Sequence, residues 1–192
     1  MLIFKKDDVA YFACPLGYHK FDARMRIDYT VEDNYDIWHV GDDHGTIAYV
    51  CSDSDRVIDL IRYSDAFECE FSRDGMREAI SRCKKALKNT NCDMGDEETS
   101  FSIVAARGDR VIKAGYRGTI YEIEDPDTIG EVSERIKAAY AAYADVADPV
   151  ERVRLVYEYV ERVSSIKYFP VALISTADKS TTLIHKNKVE KI

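Results

Sequence analysis

Apolar residues recur along the chain first with the two-residue period of strands, then with the period of helices, and the two alternate in blocks. Leu2 to Lys5 and Val9-Ala10-Tyr11-Phe12-Ala13 flank Lys6-Asp7-Asp8, which predicts a β-hairpin. Met25 to Val31 alternates apolar and polar positions, as a half-buried strand does. Ile37-Trp38-His39-Val40 predicts a short strand, followed by the turn-forming run Gly41-Asp42-Asp43-His44-Gly45. Thr46 to Cys51 is more continuously apolar, the pattern of a strand covered on both faces.

The period then changes. Ser52-Asp53-Ser54-Asp55 offers capping side chains ahead of Val57, Leu60 and Ile61 at helical spacing. Ser72 is placed to cap a second helix, whose Met76, Ile80, Cys83 and Leu87 share one face. Residues 89–98 are polar and turn-rich, a surface loop. Strands return at Phe101–Ala106, Arg110–Gly115 and Thr119–Ile123, separated by Gly108-Asp109 and Arg117-Gly118. Two more helices are predicted: Glu131 to Ala144, and one that Asp148-Pro149 opens ahead of Val153, Val156, Val160 and Val163. Val171–Ser175 and Thr181–His185 form a last hairpin, with Lys186-Asn187-Lys188 a frayed tail.

Strand and helix blocks do not alternate singly, which argues against a doubly wound parallel sheet. Two antiparallel sheets packed together, each covered outside by a helix pair, bury every apolar stripe. The expected fold class is therefore α+β, a four-layer αββα sandwich formed as a single domain over residues 1–192.

Composition narrows the partners. A net charge of −8 gives no footprint for nucleic acid and disfavours anionic membranes. No apolar run approaches a membrane span of roughly 20 residues, and the first residues lack a signal peptide's apolar stretch. Five cysteines, with no Cys-x-x-Cys pair, read as thiols in a reducing cytoplasm. His19, His39, His44 and His185 show no ligand spacing, so neither a metal nor a cofactor is expected. The thirteen tyrosines fit helix–sheet or subunit interfaces.

Three stretches carry a family resemblance. From Asp36 to Asp59 a strand, a tight turn, a small-residue strand and a Ser-Asp-rich helix start come in order. From Phe101 to Gly130 two strands and a Gly-centred hairpin end in Glu124-Asp125-Pro126-Asp127-Thr128-Ile129-Gly130. From Glu131 to Val163 a helix pair is joined by an acidic loop. In this the chain resembles proteasome β-type subunits and the HslV peptidase, members of the N-terminal-nucleophile hydrolase fold.

The resemblance implies a site, and four positions of this chain depart from it. The family nucleophile is an N-terminal threonine with its own α-amine as base; Met1 stands there, before Leu2, whose bulk disfavours methionine removal. The family aspartate at the end of the second strand falls on Cys14. The family lysine, which opens a Lys-Ile-x-x-Ile strand and stabilises negative charge, is replaced by Asp36, of opposite sign. After Ile129-Gly130 the family has serine and glycine, where this chain has Glu131-Val132.

The expected function is thus a ring-forming proteasome-like subunit without catalytic residues, structural or binding in role. From the resemblance, it assembles with itself into a hexameric or heptameric ring or double ring. The helices at Ser72–Lys88 and Glu131–Val163 form the contact region. A related active subunit or an ATPase is a candidate partner. The alternative is an active peptidase or amidohydrolase in which cleavage after Ala13 makes Cys14 the nucleophile. Pro15 directly after it, and the loss of the first strands, count against that. Thr46 after Gly45 resembles a processing point, but Asp53 and Asp55 open a helix behind it and no lysine follows before Lys84.

Overall fold

The first hairpin closes on two residues in a left-handed backbone conformation, Asp7 (φ 51°) and Asp8 (φ 61°). A two-residue turn with both φ values positive matches the twist of the flanking strands, and aspartate tolerates that region better than most residues. It joins β1 (Leu2–Lys6) to β2 (Val9–Pro15). The structure is a computed structural model. It describes residues 1–21, 27–31, 37–39, 47–52, 57, 60–61, 68–89, 101–124, 126–129, 133–164, 166–178 and 180–191. The chain forms two compact units, Met1–Tyr35 with Asp125–Ile192, and Asp36–Glu124. The long described helices are α1 (Arg73–Asn89), α2 (Ser133–Ala142) and α3 (Pro149–Ser164).

In the first unit β1 and β2 lie inside a six-stranded antiparallel sheet. Also in it are β10 (Asp127–Thr128), β11 (Val171–Ser175), β12 (Thr181–Ile184) and β13 (Val189–Lys191), in the order β10-β1-β2-β11-β12-β13. One sheet face carries Leu2, Phe4, Ala13, Val171, Leu173 and Ile184, which pack against α2 and α3. Helix α2 contributes Ile136, Ala139 and Tyr140, and α3 contributes Val153, Val156, Tyr157 and Val160. The Tyr157 hydroxyl crosses this core and donates to the Ala13 carbonyl at 3.0 Å, so the ring fills volume while its polar tip is satisfied. Asp148 caps α3, its carboxylate accepting the Val150 and Glu151 amides at 3.3 Å each, as its position before Pro149 predicts. Arg152 ties the two helices together. Its guanidinium donates twice to the Tyr140 carbonyl (2.8 and 3.3 Å) and lies over the Tyr140 ring at 3.5 Å. A carbonyl in the last turn of a helix, where intrahelical donors run out, thereby receives a side-chain donor.

The same unit holds a two-stranded ladder of β3 (Gly17–Phe21) with β4 (Ile27–Val31). The second unit is a five-stranded antiparallel sheet of β5 (Ile37–His39), β6 (Ile47–Ser52), β7 (Phe101–Arg107), β8 (Arg110–Gly115) and β9 (Ile120–Glu122), in sequence order. Ser72 caps α1 as predicted, accepting the Gly75 amide at 3.0 Å. Gly75 is required there by close approach, because a Cβ would stand 1.8 Å from the Glu70 carbonyl oxygen. Buried Met76, Ala79, Ile80, Cys83 and Leu87 of α1, with the helical residues Val57 and Ile61, cover Ala48, Val50, Ile103, Ala105, Ile112 and Ala114. On the other face Val104, Ala106 and Val111 are fully buried as well, which explains the near-continuous apolar runs of β7 and β8.

Three strands depart from the sequence reading. No strand was assigned to β3, and β10 is two residues long, too short to show a period. The tail read as frayed is instead a turn, closed by the His185 amide on the Lys188 carbonyl at 2.8 Å, that returns the chain as β13. All three residues of β13 are exposed, so nothing in their polarity marks them as sheet; pairing to β12 decides it. Helix α2 also begins at Ser133 within the described residues, against the predicted Glu131, which lies outside them.

Removing the Tyr157 hydroxyl tests the core. Tyr157→Phe is expected to cost about 1 kcal/mol, the net value of one buried hydrogen bond, and Tyr157→Ala about 3–5 kcal/mol through the cavity it leaves. Urea unfolding followed by circular dichroism measures both. Equal losses in the two variants would show that the hydroxyl, not the ring, dominates.

Candidate functional site

Strand register builds the site. β1 pairs β2 with Leu2 opposite Ala13, so one step further Met1 lies opposite Cys14. On its other side Met1 meets Ile129: the terminal ammonium donates to the Ile129 carbonyl at 2.7 Å, and the Ile129 amide to the Met1 carbonyl at 2.9 Å. This extends the ladder that already joins Leu2 to Thr128 and Ile3 to Asp127. Cys14 in turn pairs with Ala172 of β11. A single row therefore crosses four strands, Ile129–Met1–Cys14–Ala172.

Side chains directly opposite one another in an antiparallel ladder share a face, and neighbours along a strand alternate. Leu2, Ala13 and Leu173 face α2 and α3, so Met1, Cys14 and Ala172 face away from those helices. Along that face the next positions are Ile3, Phe12 and Ile174, all buried. Cys14 is only 5 % exposed there and forms no disulfide. At that exposure the sulfur is largely closed to a substrate in this conformation. Within the row the charged group is the Met1 ammonium, and it is directed at a backbone carbonyl.

Of the residues that sequence reasoning put at the site, Met1 and Cys14 are brought together as cross-strand neighbours. Asp36, Glu131 and Thr46 lie outside the described residues. The described residues include no group of three or more His, Cys, Asp or Glu side chains able to hold a metal. His185 lies 3.5 Å from the Glu190 carboxylate at the far side of the sheet.

Glu161 went unnoticed in the sequence, where it reads as one more solvated charge on α3. Its side chain is 8 % exposed and works at three points. Oε1 accepts the Tyr168 amide (2.6 Å) and the Phe169 amide (3.2 Å), and Oε2 pairs with Lys186 at 2.5 Å. These bonds hold the segment that feeds β11, and the Leu16 amide on the Pro170 carbonyl (2.9 Å) carries the β2–β11 pairing onward from the Cys14 row. No local pattern signals this role, because the partners are seven, eight and 25 residues away.

Among solved structures, the chain is similar to BPH of Thiobacillus denitrificans, a proteasome-like protein, in complex with epoxomicin. The TM-score is 0.69 at 16 % identity, over 91 % of this chain and 96 % of that one. The same protein on its own gives 0.65 at 16 % identity, covering 91 % and 95 %. HslV from Trypanosoma brucei gives 0.59 at 13 % identity, covering 91 % and 97 %. The fold is that of proteasome β-type and HslV subunits. It is the α+β fold seen in N-terminal-nucleophile hydrolases, with antiparallel sheets and helices, as the block order of the sequence implied. No family model and no curated protein matches the sequence. Among the described residues no helix is long and apolar enough to cross a membrane.

Two measurements address the Met1–Cys14 row and its support. Iodoacetamide, followed by mass spectrometry, is expected to leave Cys14 and Cys83 unmodified in the native protein and to alkylate both in urea. Rapid native labelling of Cys14 would contradict its burial. Glu161→Ala is expected to lose about 2–3 kcal/mol in urea unfolding, within the range for hydrogen bonds to a charged group, and Glu161→Gln less, because one acceptor oxygen remains.

Proposed function

We propose that this chain is a non-cleaving subunit of the proteasome/HslV type, structural or binding in role, its 192 residues working as one domain in the cytoplasm. The observation that carries the reading is the Ile129–Met1–Cys14–Ala172 row. Threonine proteolysis needs a hydroxyl with an amine beside it and a cation to lower its pKa. At the matching positions this chain has a thioether and a buried thiol, and its sequence has Asp36 for the lysine and Glu131 for the serine. An anion in place of the cation would oppose the developing oxyanion.

Self-association into a ring is the second part of the proposal. Besides its buried stripe, α3 carries Leu155, Tyr159 and Val163 four residues apart on another face, with Tyr159 37 % and Val163 46 % exposed. Beside them Arg154 pairs with Glu151 and Glu158, and the Arg154 bond holds the Glu151 carboxyl below its usual pKa. An apolar line edged by charge is the composition of a subunit contact. A related active subunit or an ATPase would dock on such a ring.

Intact mass, peptide turnover and sedimentation test this together. The expected results are a retained Met1, no fluorogenic peptide hydrolysis above background and no mass adduct with epoxomicin, the ligand in the BPH complex. Hydrolysis that disappears in Cys14→Ala would overturn the non-cleaving reading. Tyr159→Asp with Val163→Asp is expected to convert the wild-type oligomer to smaller species in sedimentation velocity. Co-purification identifies a partner subunit or ATPase.

A further inference from the structure

The cations of the second unit fall into two groups. Arg77, Arg82 and Arg110 are each neutralised by a carboxylate, from Asp74, Glu78 (2.6 Å) and Glu122 (3.1 Å) respectively. Lys84, Lys85 and Lys88 of α1, and Arg117 of the β8–β9 turn, are not: among the described residues no carboxylate lies within ion-pairing distance of them. In the first unit, by contrast, Lys137, Lys186, Lys188 and Lys191 each meet an aspartate or glutamate. A lysine in the last turn of a helix complements its dipole, which accounts for Lys88. It does not account for Arg117, which belongs to the sheet.

Packing joins these cations into one surface. Helix α1 lies against β8 and β9, and Lys84 sits over the ring of Tyr116 at 4.5 Å, next to exposed Arg117. Tyr116 is itself held: its ring meets Phe101 edge-on at 5.4 Å, and its amide donates to the Phe101 carbonyl at 2.8 Å. The turn is closed by the Gly115 amide on the Thr119 carbonyl and the Gly118 amide on the Gly115 carbonyl, both at 2.8 Å. Gly118 has φ 89°, where a side chain would be strained. Arg117 is therefore presented from a fixed backbone, and little order has to be gained on binding. Lys84 and Lys88 stand one helical turn apart, about 6 Å along the axis. Alternate side chains of an extended strand are about 7 Å apart, so carboxylates at alternate positions can meet both lysines.

We infer that the C-terminal half of α1 and the β8–β9 turn form a docking surface for an acidic, extended segment of another protein. Charge complementarity selects the occupant: four cations without carboxylates stand together in a chain whose net charge is −8. Duplex nucleic acid carries a charge every 1.7 Å or so and needs a longer basic track, and the net charge of the chain repels it. Exposed ion pairs are weak singly and screened by salt, so the contact is transient and depends on all four cations. No residue of the α3 line takes part, so this surface is independent of the ring reading.

Fluorescence anisotropy of a labelled peptide alternating glutamate and threonine tests this with the full chain, at about 50 mM salt. Saturable binding is expected, and its loss when salt rises to about 0.5 M. Lys84→Glu with Lys88→Glu is expected to weaken binding about tenfold or more, and Arg117→Glu by a smaller factor. Arg135→Glu with Arg162→Glu, exposed arginines of α2 and α3, changes the net charge equally and is expected to leave binding unchanged. Circular dichroism confirms folding, and Lys84→Gln with Lys88→Gln replaces the reversed pair if that does not fold. No binding by the wild type, equal weakening in the arginine control, or tighter binding of an oligouridylate than of the peptide would each overturn the inference. So would binding that appears only after Asp93, Asp96, Glu97 and Glu98 are made neutral, since the chain's own carboxylates would then be the occupant.

Discussion

Register between β1 and β2 is the constraint from which the rest follows. It is set by the two-residue turn at Asp7-Asp8, where both residues accept a positive φ. With that turn in place, Leu2 and Phe4 fall on the helix side and Ile3 on the other, and Met1 comes to lie opposite Cys14. A slip of one residue would reverse every one of these assignments, exposing the core set and moving the thiol to the helix face. The Tyr157 hydroxyl on the Ala13 carbonyl reads that same register from the helix layer, so strand pairing and helix packing enforce one arrangement.

The residues around position 1 are held by the sheet itself. Met1 is held by two backbone hydrogen bonds to Ile129, and Cys14 is buried on a strand with partners on both edges. Such positions are determined by the sheet ladder, which does not depend on side-chain chemistry. The same ladder can therefore hold different side chains in one geometry, which is why function must be argued from the site and not from the architecture. Glu161 fits this view: its carboxylate stabilises the approach to β11, a task of the scaffold that needs no substrate.

Legibility differed by the range of the signal. The β1–β2 hairpin, α1 with its Ser72 cap and α3 with Asp148-Pro149 were readable because their cues lie within a few residues of one another. Strands β3, β10 and β13 were not, because they are short or polar and exist through partners far away in sequence. Of the candidate site, Met1 and Cys14 could be placed by counting along strands, and the ladder makes them neighbours. The role of Glu161 depends on partners in the turn before β11 and after β12, which no spacing rule connects.

Sequence alone determined the class: the order of strand and helix blocks, the apolar faces, the acidic balance and the residue types at the family positions are all local or compositional facts. Tertiary structure decided which residues meet. Met1 beside Cys14, the Tyr157 hydroxyl on the Ala13 carbonyl and the Glu161 carboxylate on the Tyr168 and Phe169 amides all arise from pairings between segments apart in sequence. The physical reason is that periodicity reports which face of an element is buried, whereas the identity of what lies against that face is fixed only when the elements pack.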